Sequence, residues 1–383
     1  MLYSKRMVRI SPWPISTDRE IELLREVLSS GQWGGFHEFV GRFEREFAAF
    51  QQCKTGVSAC NGTVSLEMAL EAAGVRPGDE VIVPAISFIS TATTVSRVGA
   101  TPVFVDIEPD TFNMDPESAR AAISAKTRAI IVVHFGGPMA DMDRLAPLAR
   151  ENELILIEDA AHAQGSEWAG RRAGGFGLAG SFSFQNGKVM TSGEGGMVTT
   201  NDEEFAIRLR ALANQGRKAG EGFFYHYTLG TNLRVTAFQA AVLIAQLERL
   251  PEQVRLRREN AVLLARELAG VRGIKLARVP PPACVHSHYL QLGRIDREQF
   301  GRTRDEFHRA LIAAGVPCTP FYPHPLYGNP LYAAGGCRVE PCPVAEECVR
   351  DAFWLPHRVL MSPAETIREI GALIRECSVT SRP

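Results

Sequence analysis

From about residue 55 to 200, short β-branched or apolar runs alternate with stretches whose apolar residues recur at helical spacing. A run of strand length followed by a helical period, repeated several times, is the sequence form of a parallel or mixed sheet covered by helices. The pattern predicts strands at 55–59, 80–84, 101–107, 127–134, 154–158, 181–184 and 195–200. Between them it predicts helices at 62–73, 90–98, 116–123 and 142–151, each ending near a glycine, a polar cluster or the next strand. Ahead of this block, Thr17-Asp-Arg-Glu20 has the spacing of a capping box, and Ile21, Leu24, Val27 and Leu28 follow at helical intervals up to Gly31. Gly31-Gln-Trp-Gly-Gly35 is too rich in glycine for a helix and reads as a loop.

Residues 235–250 and 252–269 read as two long helical stretches interrupted by Pro251, because proline lacks the amide donor and clashes with the preceding turn. Isolated strands and helices follow around 272–278, 286–294 and 297–314. The pattern therefore predicts a large α/β domain over 1–250 and a smaller α+β domain over 251–383. A last helix is expected at Ser362-Pro-Ala-Glu365, where a capping box and a first-turn proline coincide, with Ile367, Ile370 and Ile374 on its buried face.

Composition narrows the class without changing the fold. With 383 residues, 45% of them hydrophobic, the chain is long enough for a large core. A net charge of −1 from 42 basic and 43 acidic residues, with no long run of either sign, leaves no electrostatic footprint for nucleic acid or an anionic membrane, so small molecules are the expected partners. Met1 to Pro14 has no apolar signal segment and no stretch is apolar enough to span a membrane, so the cytoplasm is the default location. The eight cysteines are scattered without metal-ligand spacing and read as reduced thiols, with no metal predicted.

Three segments carry chemistry. Ser181-Phe-Ser-Phe-Gln-Asn-Gly-Lys188-Val-Met-Thr-Ser-Gly-Glu-Gly-Gly196 ends a strand in a lysine and a tight glycine turn. A pocket that desolvates such a lysine lowers its pKa and makes it a Schiff-base nucleophile, though a solvated lysine on a hairpin has the same spacing. Ile155-Leu-Ile-Glu-Asp159-Ala-Ala-His162 ends an apolar strand in carboxylates, where open α/β sheets bind ligands; a capping aspartate would look alike. Ser58-Ala-Cys-Asn-Gly62-Thr63-Val-Ser65 passes from strand to helix, and the free N–H groups and dipole of a helix start are a seat for phosphate.

In this order and over this length, the three segments resemble the sugar aminotransferases of the DegT/DnrJ/StrS group, a branch of the fold-type-I pyridoxal-phosphate enzymes. The likeness runs from Ser30-Gly-Gln-Trp33 to Leu355-Pro-His357, and Ser-Phe-x-x-x-Lys with Gly-Glu-Gly-Gly is its most specific part. It implies an aspartate-aminotransferase-like α/β fold, with pyridoxal 5′-phosphate carried on Lys188, which would also move the proton between substrate and cofactor. It implies Asp159 on the ring nitrogen, Gly62, Thr63 and Ser183 on the phosphate, Phe88 stacked on the ring and Gln164 near the ring hydroxyl. Asn232, in Leu229-Gly-Thr-Asn232-Leu-Arg234, matches the position that reaches the phosphate of a neighbouring subunit, implying a homodimer with shared sites; the family more often has an aromatic residue where this chain has Thr231. Trp33, His288, His324 and His357 fall where related enzymes line the substrate side. The implied reaction moves an amino group from glutamate or glutamine to a keto-sugar, free or nucleotide-linked, or to a ketocyclitol. The same motifs resemble 3-amino-5-hydroxybenzoate synthases, which would make the protein a lyase. A non-catalytic protein keeping the fold is the alternative of another class, and the presence of both Lys188 and Asp159 argues against it.

Overall fold

Each strand expected between residues 55 and 200 forms, with ends shifted by at most a few residues. In a computed structural model describing residues 7–278 and 284–378, these are β1 (Thr55–Ala59), β2 (Glu80–Pro84), β3 (Thr101–Val105), β4 (Thr127–Val133) and β5 (Ile155–Asp159), then, after a small hairpin of β6 (Glu167–Trp168) and β7 (Arg171–Arg172), β8 (Ala179–Ser183) and β9 (Gly196–Thr200). They join one sheet in the order β1-β9-β8-β5-β4-β2-β3, in which β9 alone runs opposite to the others. Alternation along the strands sends Ile82, Val103, Val105, Ile130 and Val132 into one apolar layer and Val81, Val83, Phe104, Ala129 and Ile131 into the other.

Helices cover both layers. On the first face lie α1 (Asp18–Ser30), α2 (Glu38–Phe50), α6 (Met142–Glu151) and the start of α8 (Ala237–Glu267); on the second lie α3 (Gly62–Ala72), α4 (Ser90–Arg97) and α7 (Glu203–Ala213). The short α5 (Pro116–Ala121) leads toward β4. The capping box of α1 is formed, with Thr17 and Glu20 bonding each other's backbone. The sequence pattern assigned no element between 36 and 54, yet α2 lies there. It is capped by His37, and its Phe47 meets Phe182 and Phe184 edge-on at 4.9 and 5.2 Å, pairs worth about 0.5–1.5 kcal/mol each beyond burial.

Three expectations need correction. Pro251 does not interrupt a helix: α8 runs unbroken through it, because Leu247, Leu250, Val254 and Leu264 bury one face along its length and packing outweighs the roughly 3 kcal/mol local cost. Its apolar side chains pass from the large core at Val254 to a second core at Ala261. The last helix is Ala364–Cys377 and has no side-chain cap; the Ser362 hydroxyl accepts from the Ser11 N–H instead, while Ile367, Ile370 and Ile374 are buried. The strand expected from 286 starts at Leu290, because His288 has φ +52° and turns the chain.

That second core is closed by a three-stranded sheet of β10 (Ile274–Leu276), β11 (Leu290–Ile295) and, after β12 (Arg338–Val339), β13 (Ala352–Pro356). Around it pack Phe300, Phe307, Phe353 and Leu355. β12 joins the large sheet instead, parallel to β3, so the C-terminal half contributes its eighth strand. The eight cysteines are free. Among the described residues, no helix is long and apolar enough to cross a membrane.

Candidate active site

The C-terminal ends of the parallel strands β1, β2, β4, β5 and β8 converge on a cavity of about 740 Å³, the edge where sheets of this kind bind ligands. Lys188, Asp159, Gly62, Thr63, Phe88 and Ser183 all line it. Four separate stretches of sequence thus meet at one place.

Asp159 ends β5 and is buried. Its Oδ2 accepts from the Thr91 hydroxyl at 2.7 Å and its Oδ1 from the Ala161 N–H at 3.3 Å, so it also caps the following turn. Ser87 and Thr91 hydroxyls are 2.7 Å apart. A carboxylate only accepts, so Thr91 donates to Asp159 and Ser87 to Thr91. Burial raises the Asp159 pKa, while Thr91 and the nearby Lys188 oppose the rise. Lys188 shows the complementary shift: burial lowers its ammonium to about 8, with Asp159 pulling the other way. Its Nζ stands 4.7 Å from the centre of the Tyr289 ring. Beside that ring, at 4.3 Å, lies His162, whose Nδ1 accepts from the Gly136 N–H at 3.2 Å and which burial keeps neutral.

At the other end of the sheet edge, Asn61 caps α3 by accepting from the Val64 N–H, leaving the Gly62 and Thr63 amides at the front of the helix. A Cβ on Gly62 would sit 2.6 Å from the Ser183 Cβ, so only glycine lets the helix start touch the end of β8. Thr63 and Ser90 hydroxyls pair at 2.7 Å beside them. Gln164 is fully buried and does not line the cavity; its amide donates to the Ser183 carbonyl at 2.7 Å, while its Oε1 has no partner among the described residues. Phe88 is 57% exposed at the rim.

Other expected residues stand elsewhere. Asn232 is exposed and pairs through its backbone with Asn214, away from this chain's cavity wall. Trp33 packs against Phe238 at 5.7 Å and is half exposed. His288 is buried and stacked on His286 at 3.7 Å; His324 bonds the Pro325 carbonyl; His357 bonds the Gly187 carbonyl at 3.1 Å. None of these four lines the cavity. Its substrate-side wall is instead Tyr289, Tyr322 and Trp354. Tyr289 is the neighbour of His288, and nothing in His286-Ser-His-Tyr289 said which ring faces inward; the run of hydroxyls Ser87, Ser90 and Thr91 was the one local signal for the Asp159 network.

With this geometry in hand, residues 14–375 match the DegT/DnrJ/EryC1/StrS aminotransferase family. The chain belongs to this family. An L-glutamine:2-deoxy-scyllo-inosose aminotransferase of Streptoalloteichus tenebrarius is 36% identical over 96% of this chain and 94% of its own. A 3-amino-5-hydroxybenzoate synthase of Amycolatopsis mediterranei is 38% identical over 95% and 96%. Among solved structures, that of a 3-amino-5-hydroxybenzoic acid synthase superposes with a TM-score of 0.91 at 36% identity, over 97% of this chain and 99% of that one. The protein is thus a fold-type-I aminotransferase whose cofactor is pyridoxal 5′-phosphate. The site fits that group: a helix start and hydroxyls for a phosphate, a buried carboxylate for a ring nitrogen, and an amine with a depressed pKa.

Proposed function

We propose that this aminotransferase takes its amino group from glutamine or glutamate and delivers it to a free ring ketone, a ketocyclitol or unattached keto-sugar, in preference to a nucleotide-linked sugar. The observation that carries this is the charge of the cavity. Among the described residues lining it, the basic ones are Lys188 and Arg97, and Arg97 is paired with Glu67 at 2.7 Å; Glu194 adds a further negative charge. This chain's walls therefore offer no spare cation to a diphosphate, whereas Tyr289, Tyr322 and Trp354 offer ring faces and hydroxyls to a polyhydroxylated ring.

The roles follow from chemistry. Bound pyridoxal phosphate supplies the carbonyl that takes up the amino group and a protonated ring that withdraws electrons from the substrate carbon. Asp159, held by Thr91 and the Ala161 N–H, keeps a negative charge against that ring nitrogen. Gly62, Thr63 and Ser183 would hold the phosphate, Phe88 would cover the ring face, and Gln164 Oε1 would accept from the ring hydroxyl. Lys188, neutral in a useful fraction near pH 8, holds and returns the proton at the substrate carbon.

A homodimer completes the site in this reading. Phe223, Phe224, Tyr225, Tyr227 and Leu229 are exposed close in sequence to Asn232, a group of bare large side chains of the kind that marks an interaction surface, and Asn232 then serves the neighbour's phosphate. The pyridoxamine form, mixed with free ketocyclitols, free keto-sugars and nucleotide-linked keto-sugars, tests the proposal: amination of the free rings supports it, and amination confined to the nucleotide-linked sugars overturns it. The likeness to 3-amino-5-hydroxybenzoate synthase favours a second reading, dehydration of an aminated cyclohexenone, which the same assay detects as an aromatic product.

A further inference from the structure

The turn that presents Lys188 is bonded from outside by two distant parts of the chain. Inside the turn, the Lys188 N–H donates to the Gln185 carbonyl at 2.9 Å and the Gly187 N–H to the Gln185 side chain at 2.7 Å. The next two carbonyls point away. That of Asn186 accepts from the Trp13 indole Nε1–H at 3.1 Å, and that of Gly187 lies 3.1 Å from His357 Nε2. A carbonyl only accepts, so the His357 proton is on Nε2. Trp13 comes from the segment before α1 and His357 from the end of β13, and their rings meet edge to face at 4.5 Å. The His357 main-chain N–H donates to the Tyr289 carbonyl at 2.9 Å, and the His357 ring stacks over Tyr289 at 6.0 Å, the same ring that lies under Lys188 Nζ.

His357 also has a fixed protonation state. It is 2% exposed, and burial lowers its pKa to about 3, with Arg257 and Arg358 acting in the same direction. Arg257 is wholly buried, donates to the Ser287 carbonyl at 2.7 Å and makes no ion pair with any described residue, so its charge is uncompensated there. The imidazole is therefore a neutral donor to Gly187 at pH values well above 3.

We propose that Trp13 and His357 are positioning residues that clamp the Gln185–Lys188 turn, so that docking of the amino-terminal segment and of the C-terminal sheet onto that turn sets where the lysine ammonium stands. The clamp bears on catalysis through the reading of Lys188 as the reacting amine. Two rigid aromatic rings joined edge to face can hold a short glycine-containing turn that has few bonds of its own, and a displacement of about 1 Å at a reacting group can cost on the order of 100-fold in rate.

Three variants separate the clamp from mere stability. His357→Phe and Trp13→Phe keep the rings and remove one donor each; His357→Gln restores an N–H near the Nε2 position. Hydrogen exchange measured on the apoprotein should show the Gly187 and Lys188 amides exchanging roughly tenfold faster in each phenylalanine variant, the effect of one lost hydrogen bond, with His357→Gln returning toward wild type. In the cofactor-loaded protein, kcat should fall by up to about 100-fold with KM for the amino donor unchanged. Unaltered exchange in both phenylalanine variants, or a lowered Tm with unaltered kcat, would overturn the clamp. Faster exchange together with an active Lys188→Ala protein would leave the clamp standing and remove the catalytic reading of the lysine.

Discussion

The two walls of the cavity are built in different ways. The wall at the strand ends, from Asn61 through Ser183 and Asp159, comes from one sheet and the helix that touches it, and its polar groups are bonded to one another at 2.6 to 3.3 Å. The facing wall of Tyr289, Tyr322 and Trp354 comes from the residue just before β11, a loop and β13, and is held by ring packing, with Tyr322 and Trp354 5.3 Å apart. The Tyr289 and Tyr322 hydroxyls make no hydrogen bond to any described residue. A cofactor does not change from one enzyme to the next, so its seat can be rigid and fully bonded; a ring ketone differs between enzymes, and hydroxyls left free can be satisfied by whichever one binds.

Substitutions on either side break or sharpen this contrast. Lys188→Ala should abolish transamination, and borohydride reduction of the wild type should fix the cofactor to the peptide carrying residue 188; a label mapped to another lysine would refute the seat. Asp159→Asn should lower kcat by roughly 100- to 1000-fold, as loss of a preorganised charge does, with acceptor specificity preserved. Thr91→Val removes one hydrogen bond to a buried carboxylate, worth about 1.5–3 kcal/mol, so kcat/KM should drop ~10- to 100-fold for all acceptors alike. The rate at which apoprotein captures pyridoxal phosphate should rise about tenfold per pH unit up to about 8 and level off above it, because the lowered Lys188 pKa means that its amine is protonated below about 8 and neutral above; a rate still climbing steeply from pH 8 to 10 would contradict the burial. Tyr322→Phe should have the smallest effect, about 1 kcal/mol or fivefold in kcat/KM, and it should differ between acceptors while cofactor affinity is unchanged. An equal loss for every acceptor would erase the distinction between the walls.

Much of the fixed wall was legible in the sequence. Lys188, Asp159 and Gly62 each sit where a strand ends in a turn or helix start, a signal contained in a few adjacent residues. The facing wall was not. In His286-Ser-His-Tyr289 the expectation fell on His288, and in Leu355-Pro-His357 on His357, yet a positive φ at residue 288 turns its ring into the core and a carbonyl of the lysine turn captures the other. Those directions depend on residues more than a hundred positions away in the chain: Gly187 for His357, and Ser166 and His162, which bond Ser287, for the turn at 288.

By itself the sequence determined the seven main strands between residues 55 and 200, the α1 capping box, most of the covering helices and the segments that meet at the cavity, because hydrophobic period, turn chemistry and strand-end motifs act within a few residues. Tertiary structure alone decided that α8 continues through Pro251, that Ser362 anchors the amino-terminal segment instead of capping a helix, and which aromatic rings face the cavity. Each of these outcomes weighs a local preference of a few kcal/mol against packing from distant segments, and that larger sum has no counterpart in any short stretch of residues.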